Sequence, residues 1–179
     1  MIRACVPLCL LVLLAGCASI PSAVDLPVSD PEPSLAQAQH DPDDVAEERV
    51  RWGGTLISVT NAPDHSELEI IARPLQRNAR PDEGQPSPGR FLAIVPGFVD
   101  PREYEEGKAI TVTGQLDGVE RRNVGDFAYR YPRVQVDGHY LWPPEPELRR
   151  PPPDPYWYDP WYRPWWHDPW HPHWRPHRW

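Results

Sequence analysis

The sequence predicts a mainly β protein with one short helix, flanked by a disordered linker and a disordered tail. Between residues 50 and 142, apolar and polar side chains alternate with a period of two, and no long helical period is present. The segment before this domain, residues 18–48, holds eight Asp or Glu and no Lys or Arg. Beyond Pro143 the chain is rich in proline and aromatic residues and loses its periodicity. The roughly 93 residues between these segments suffice for one small core.

The N-terminus has the order of a secretory signal peptide. Arg3 precedes an apolar run from about Val6 to Leu14, which is too short for a bilayer-spanning helix of roughly 20 residues. The run ends in Leu14-Ala15-Gly16-Cys17, which resembles the bacterial lipobox. That resemblance implies cleavage before Cys17, a diacylglyceryl group on its thiol, and acylation of the new amino terminus. Because Ala18 is not the Asp that signals inner-membrane retention, the resemblance also implies the outer membrane.

This leader accounts for every cysteine of the chain. Cys5 and Cys9 lie in the predicted signal peptide, residues 1–16, and Cys17 would carry the lipid. The mature protein would then have no free thiol and no disulfide, so its fold must depend on core packing. We therefore predict no cofactor apart from the covalent lipid on Cys17.

Residues 17–49 are predicted to be the lipidated cysteine followed by an acidic linker. Few large apolar residues are present to offset the entropy of ordering this segment. As a flexible coil, its 31 or so residues would span about 30 Å, which would hold a domain away from the bilayer. Acid-rich regulation or cation binding is the alternative interpretation.

The middle domain, residues 50–142, is predicted to consist of β-strands. The clearest strand is KAITVTGQLDG at 108–118, in which Ile110, Val112 and Leu116 share one face. It ends in Asp117-Gly118, a dipeptide suited to a tight hairpin. Further strands are predicted at 52–60, 68–75, 90–95 and 129–142, the last interrupted by Pro132 and by Asp137-Gly138.

One short helix is predicted in DPREYEEG, residues 100–107. Asp100 can cap it, Pro101 suits the first helical position, Glu103 can complete a capping box, and Gly107 would end it. The order of three strands, a helix and two or more strands matches an OB-like five-stranded barrel. A sandwich of two sheets is the alternative.

The middle domain offers little that is typical of catalysis. Its two histidines, His65 and His139, lie near Asp64 and Asp137 in turn-like segments, and we expect both to be solvated. The phosphate-loop, H-E-x-x-H and G-x-S-x-G patterns do not occur in the sequence. We predict that the protein is not an enzyme. A net charge of −8 and a periplasmic location also argue against nucleic acid as a partner.

The tail, residues 143–179, is predicted to be extended because proline recurs every three to five residues. Four interpretations remain open: low-complexity sequence without a partner, contact with the membrane interface, stacking on peptidoglycan or another envelope component, and metal binding. The candidates for membrane or polymer contact are Trp157, Trp161, Trp165, Trp166, Trp170, Trp174 and Trp179. The candidate metal ligands are His167, His171, His173 and His177.

Several motifs of the middle domain together resemble the starvation-inducible outer-membrane lipoprotein (Slp) family. They are VRWGG at 50–54, GRF at 89–91, GFVDPREYEEG at 97–107, TVTG at 111–114, YRYP at 129–132 and YLW at 140–142. The resemblance covers about 93 residues and the leader, but not the tail. It implies a lipoprotein of the outer membrane linked with stress physiology, and it carries no active site over to this chain.

From these observations we expect a lipid-anchored outer-membrane protein that faces the periplasm, with the membrane lipid as its first partner. Its role would be non-catalytic binding or structural support in envelope maintenance or stress response. Metal binding through the tail and carriage of a small ligand inside the barrel are the alternatives.

Overall fold

The computed structural model describes residues 19–145, and these confirm a mainly β protein. One short helix, α1 (Leu35–His40), precedes five strands. The strands are β1 (Arg49–Asn61), β2 (His65–Arg73), β3 (Arg90–Pro96), β4 (Ala109–Val124) and β5 (Phe127–Leu141).

The five strands close into a barrel in the order β1-β2-β3-β5-β4. Neighbouring strands are antiparallel except β3 and β5, which run parallel, and β1 closes the barrel by pairing with β4. The predicted five-stranded barrel is therefore confirmed, in place of the alternative sandwich. Its likeness to the OB fold rests on the strand number and the closure.

The alternation in the sequence places one set of apolar side chains inside the barrel. Successive inward positions along β2 are Leu68 and Ile70, and three other strands add Phe91, Ile110 and Val134, all without exposed surface. These side chains fill the interior, as is usual for small barrels.

Both Asp-Gly dipeptides have a different role from the predicted one. Asp117-Gly118 was predicted to form a hairpin but lies within β4, where the register with β5 shifts between Leu116 and Val119. The hairpin turn is instead at Gly125-Asp126. Asp137-Gly138 lies at a second shift and does not end β5. Gly118 has a φ of 69°, and a β-bulge uses this conformation as readily as a hairpin turn does.

The predicted helix at 100–107 is wrong, because this segment forms only turns. The Asp100 side chain does accept a hydrogen bond from the Arg102 backbone N–H at 2.9 Å, as a cap would. The Gly107 N–H, however, donates to the Leu56 carbonyl at 2.9 Å. The chain thus returns to β1 before a second helical turn can form.

The prediction of an extended tether is wrong for residues 19–48, which pack on the barrel. We call residues 19–33 the strap. Val24 of the strap has no exposed surface, and its carbonyl accepts hydrogen bonds from Thr113 Oγ1 at 3.0 Å and Arg51 Nε at 2.7 Å. Helix α1 follows and buries Leu35 and Ala38 against the core. Although the segment has few apolar residues, distant side chains satisfy its backbone.

The start of α1 has a local signal that the sequence interpretation missed. Ser34 and Gln37 form a capping box, in which the Ser34 hydroxyl accepts from the Gln37 N–H at 3.3 Å and Gln37 Oε1 accepts from the Ser34 N–H at 2.8 Å. The Ser-x-x-Gln spacing is typical of a helix N-terminus. It could have placed the short helix here instead of at 100–107.

Candidate functional site

The residues predicted to carry function lie outside the described part of the chain. This holds for the lipidation site Cys17, for the tryptophans Trp157, Trp161, Trp165, Trp166, Trp170, Trp174 and Trp179, and for the histidines His167, His171, His173 and His177. Their roles stay predictions. The described residues show where the chain enters and leaves the barrel, and which cavities and ionisable groups the barrel offers.

The strap crosses one outer face of the barrel, formed by β4 and β5. We call this surface, together with the strap that covers it, the strap face; its barrel residues are Thr111, Thr113, Gly138, Tyr140 and Trp142. A Cβ atom at Gly138 would lie only 2.1 Å from the carbonyl oxygen of Ala23. The strap backbone therefore lies directly on β5 at a position where only glycine leaves room.

The last described residues leave the barrel on the same face. Trp142 Nε1 donates to Thr111 Oγ1 at 2.9 Å, and Thr111 Oγ1 donates to the Ala79 carbonyl at 2.7 Å. The guanidinium of Arg80 stacks on the Trp142 ring at 5.4 Å and donates to the Pro143 carbonyl at 3.1 Å. The strap and the end of the barrel chain thus share one surface.

A cavity of about 300 Å³ lies between the strap, the start of α1 and strands β1 and β2. Its lining is mostly apolar and includes Trp52, whose Nε1 donates to the Pro33 carbonyl at 3.3 Å. Burial raises the pKa of Glu32, although its carboxylate accepts a 2.6 Å hydrogen bond from the Arg51 backbone N–H. Nε of Arg73 is buried and makes no hydrogen bond with the described residues. The cavity could hold a small apolar group beside these polar atoms.

The two histidines have different surroundings, and only one is as predicted. His65 is partly exposed, and its Nδ1 lies 2.7 Å from Asp64 Oδ1; this hydrogen bond lowers the pKa of Asp64. His139 was predicted to be solvated in a turn, but it lies in β5, with Nε2 2.7 Å from the Tyr104 hydroxyl. Burial lowers the pKa of His139.

Further ionisable groups brace the outer face of the barrel. Glu69 accepts hydrogen bonds from Arg90 at 2.9 Å and from the Tyr131 hydroxyl at 2.8 Å, and burial raises the pKa of Tyr131. Arg122 pairs with Glu67 and Glu120. Each of these charges has an opposite partner, which is typical of structural bracing. Within residues 19–145, no group of three or more His, Cys, Asp or Glu is placed to hold a metal ion.

Together these features define a small closed β-barrel whose interior is filled and whose strap and final strand share one outer face. In the described part of the chain, no helix is both long and apolar enough to cross a bilayer. The chain matches the outer membrane lipoprotein Slp family over residues 14–174 and therefore belongs to that family. The predicted family is thus confirmed, whereas the expectation that the likeness stops before the tail is wrong, because the match continues to residue 174.

Two relatives from Escherichia coli (strain K12) agree with this membership. The chain is 32% identical over 148 residues to the "Uncharacterized lipoprotein YeaY", covering 82% of this chain and 76% of the relative. It is 31% identical over 133 residues to the "Outer membrane protein Slp", covering 73% of this chain and 69% of that protein. The family and these relatives place the protein at the outer membrane as a lipoprotein.

The structural comparison is much weaker. A small single-stranded DNA-binding protein from Streptomyces coelicolor aligns with 53% of this chain and 94% of its own, at 10% identity and a TM-score of 0.32. A score this low supports no conclusion about fold or function.

Proposed function

We propose that the protein is a triacylated lipoprotein anchored through Cys17 and facing the periplasm. Its role is non-catalytic binding or structural support in envelope maintenance or stress response. The observation that carries this proposal is that the family match begins at residue 14 and so includes Leu14-Ala15-Gly16-Cys17. The match to an outer membrane lipoprotein family thus covers the four residues that resemble a lipobox, which supports the proposed anchor.

The hydrogen bonds and ion pairs that the ionisable groups make support a non-catalytic role. The Nε2 atom of His139 is hydrogen-bonded to the Tyr104 hydroxyl. Asp137 is close to this histidine in the sequence but pairs with Arg49 at 2.8 Å instead. A general base needs a free position beside a substrate, and these groups are engaged in holding strands together. The barrel therefore supports a structural or binding role better than an enzymatic one.

The barrel interior also bears on the alternative of a small-ligand carrier. A carrier of this kind needs an open apolar lumen, whereas the core side chains fill the interior here. The cavity beside Glu32 and Trp52 is bounded by the strap and α1 as well as by β1 and β2. These observations favour a role at the protein surface over carriage inside the barrel.

The anchor is tested by replacing its single lipidation site. The Cys17→Ser variant should carry no acyl chain in metabolic labelling with a clickable fatty acid, and it should be extracted from envelopes without detergent. The matched control is Ser19→Ala, which leaves the thiol in place and should remain labelled and membrane-bound. Acylation of the Cys17→Ser variant would contradict the proposed anchor.

The tail is proposed as a second contact with the membrane interface, with metal binding as the alternative. Tryptophan and arginine favour the headgroup zone, and a second contact would reinforce the lipid anchor. A peptide of residues 149–179 should show a blue shift of tryptophan emission with lipid vesicles. A response only to peptidoglycan fragments, or quenching only by Zn²⁺ or Cu²⁺, would contradict membrane contact and support the corresponding alternative.

A further inference from the structure

We infer that the barrel rests with its strap face against the phospholipid headgroups of the outer membrane. This inference depends on the proposed lipid at Cys17. Once the lipid is in place, the orientation of the barrel depends only on how residues 19–145 are packed. It assigns a membrane-contacting surface to the folded domain.

The first step is the length of chain between the lipid and the barrel. The Val24 N–H donates to the Pro21 carbonyl at 3.0 Å, so the ordered strap is closed into a turn from Pro21 onwards. Pro21 is only four positions along the chain from Cys17, and a fully extended chain of four residue steps spans about 14 Å. We call this connection between Cys17 and Pro21 the leash. It is far shorter than the roughly 30 Å expected of a flexible 31-residue linker.

The second step is the attachment of the strap to the barrel. Arg51 donates to the carbonyls of Val24 at 2.7 Å and Leu26 at 2.8 Å. Arg49 continues the contact, since its Nε donates to the Pro27 carbonyl at 3.0 Å and its carbonyl accepts from the Ser29 N–H at 2.8 Å. Because charge-assisted hydrogen bonds are stronger than neutral ones, the strap cannot easily peel away to lengthen the leash.

The third step compares the leash with the size of the domain. A compact unit of about 127 residues has a radius of gyration near 14 Å, which corresponds to a sphere about 36 Å across. The chain would have to run more than 50 Å around such a sphere to turn its opposite side to the membrane. A leash of about 14 Å permits tilting but not inversion.

The chemistry of the strap face suits phospholipid headgroups. The partly exposed Tyr140 and Arg80 both contact the ring of Trp142, which is itself only 8% exposed. An exposed aromatic ring close to an arginine is favoured at membrane interfaces. Two of the acids nearby are paired, since Asp25 lies 3.7 Å from Arg51 and Asp137 lies 2.8 Å from Arg49. These pairs reduce the negative charge that would repel lipid phosphates.

The β4–β5 hairpin tip is a competing surface because Phe127 is 68% exposed there. Along β4, the tip is eleven residues from Thr113, or about 36 Å at roughly 3.3 Å per residue. The leash would hold Phe127 away from the headgroups. An exposed aromatic residue alone would have suggested the opposite orientation.

The test uses the native lipidated full chain in vesicles of phosphatidylethanolamine and phosphatidylglycerol. Because the lipid blocks the Cys17 thiol and cleavage removes the other cysteines, a fluorophore can be attached at one introduced cysteine. Gln76→Cys labels the exposed loop beside Ala79 on the strap face, Asp25→Cys labels the strap, and Asp126→Cys labels the hairpin tip. The measurement is quenching by lipids that carry a nitroxide on the headgroup.

We expect severalfold stronger quenching at positions 76 and 25 than at 126. A matched variant with twenty Gly/Ser residues inserted between Ser19 and Ile20 should bind vesicles equally but lose most of this difference, since such a linker spans about 25 Å on average. Equal quenching at 76 and 126 in vesicle-bound protein, or stronger quenching at 126, would overturn the inferred orientation. If the protein does not float with vesicles at all, the proposed anchor has failed instead.

Discussion

Truncation of Val24 to alanine tests whether the strap belongs to the folded domain. The side chain of Val24 has no exposed surface, and the change removes the equivalent of two buried methylene groups, or about 1.6 kcal/mol of transfer free energy. The void left behind raises the expected loss in the free energy of unfolding to about 2–3 kcal/mol. For a unit of about 127 residues this corresponds to a melting temperature lower by roughly 7–11 °C.

The assay is urea and thermal unfolding of the full chain in the unlipidated Cys17→Ser background, followed by circular dichroism. Val28→Ala is the matched control, because Val28 lies in the same strap but is only partly buried; it should lose well under half as much stability. If the curves of Val24→Ala and its parent coincided within about 0.5 kcal/mol, as is usual for surface substitutions, the strap would not be packed as described.

Two further predictions concern the barrel itself. Burial lowers the pKa of His139 below its usual value, so the unfolded state binds a proton on this residue more readily than the folded state does. The free energy of unfolding should therefore be highest above about pH 6.5. It should fall as the pH drops from there through the pKa of His139 in the folded state. His139→Gln should flatten this part of the pH profile of unfolding, and an unchanged slope would exclude His139 as its source. Gly54→Ala would place a Cβ atom 1.8 Å from the Ile71 carbonyl oxygen and should lower the free energy of unfolding by about 3 kcal/mol or more. The control Gly84→Ala, in an exposed loop, should fold normally. Equal melting temperatures of the two variants would contradict the close approach of β1 and β2.

The strands were predictable because their signal is local. The alternation in β2 and β4 reports directly which side chains face the core, and the predicted strand at 90–95 differs from β3 by a single residue. Closure of the barrel followed from the number and order of strands. The leader was predicted from a signal of the same local kind, namely a charged residue, an apolar run and Cys17 in a fixed order.

The turns were harder, because one local signal serves several structures. Gly118 adopts the positive φ that its Asp-Gly dipeptide favours, yet β4 continues for six residues beyond it. Asp100 accepts the expected capping hydrogen bond, yet Gly107 is drawn to Leu56 before a helix can form. In both cases pairing with distant strands decided between conformations that the dipeptide or the cap allows equally.

The packing of the strap on the barrel was determined by tertiary structure alone. Its acidic, proline-rich composition is typical of a tether, and by itself it has too few apolar side chains to order its backbone. The partners of Val24 are Arg51 and Thr113, which lie 27 and 89 residues further along the chain. The sequence therefore determined the barrel and the family. Barrel closure determined whether the strap packs on the domain, because only closure brings these hydrogen-bond donors to the strap.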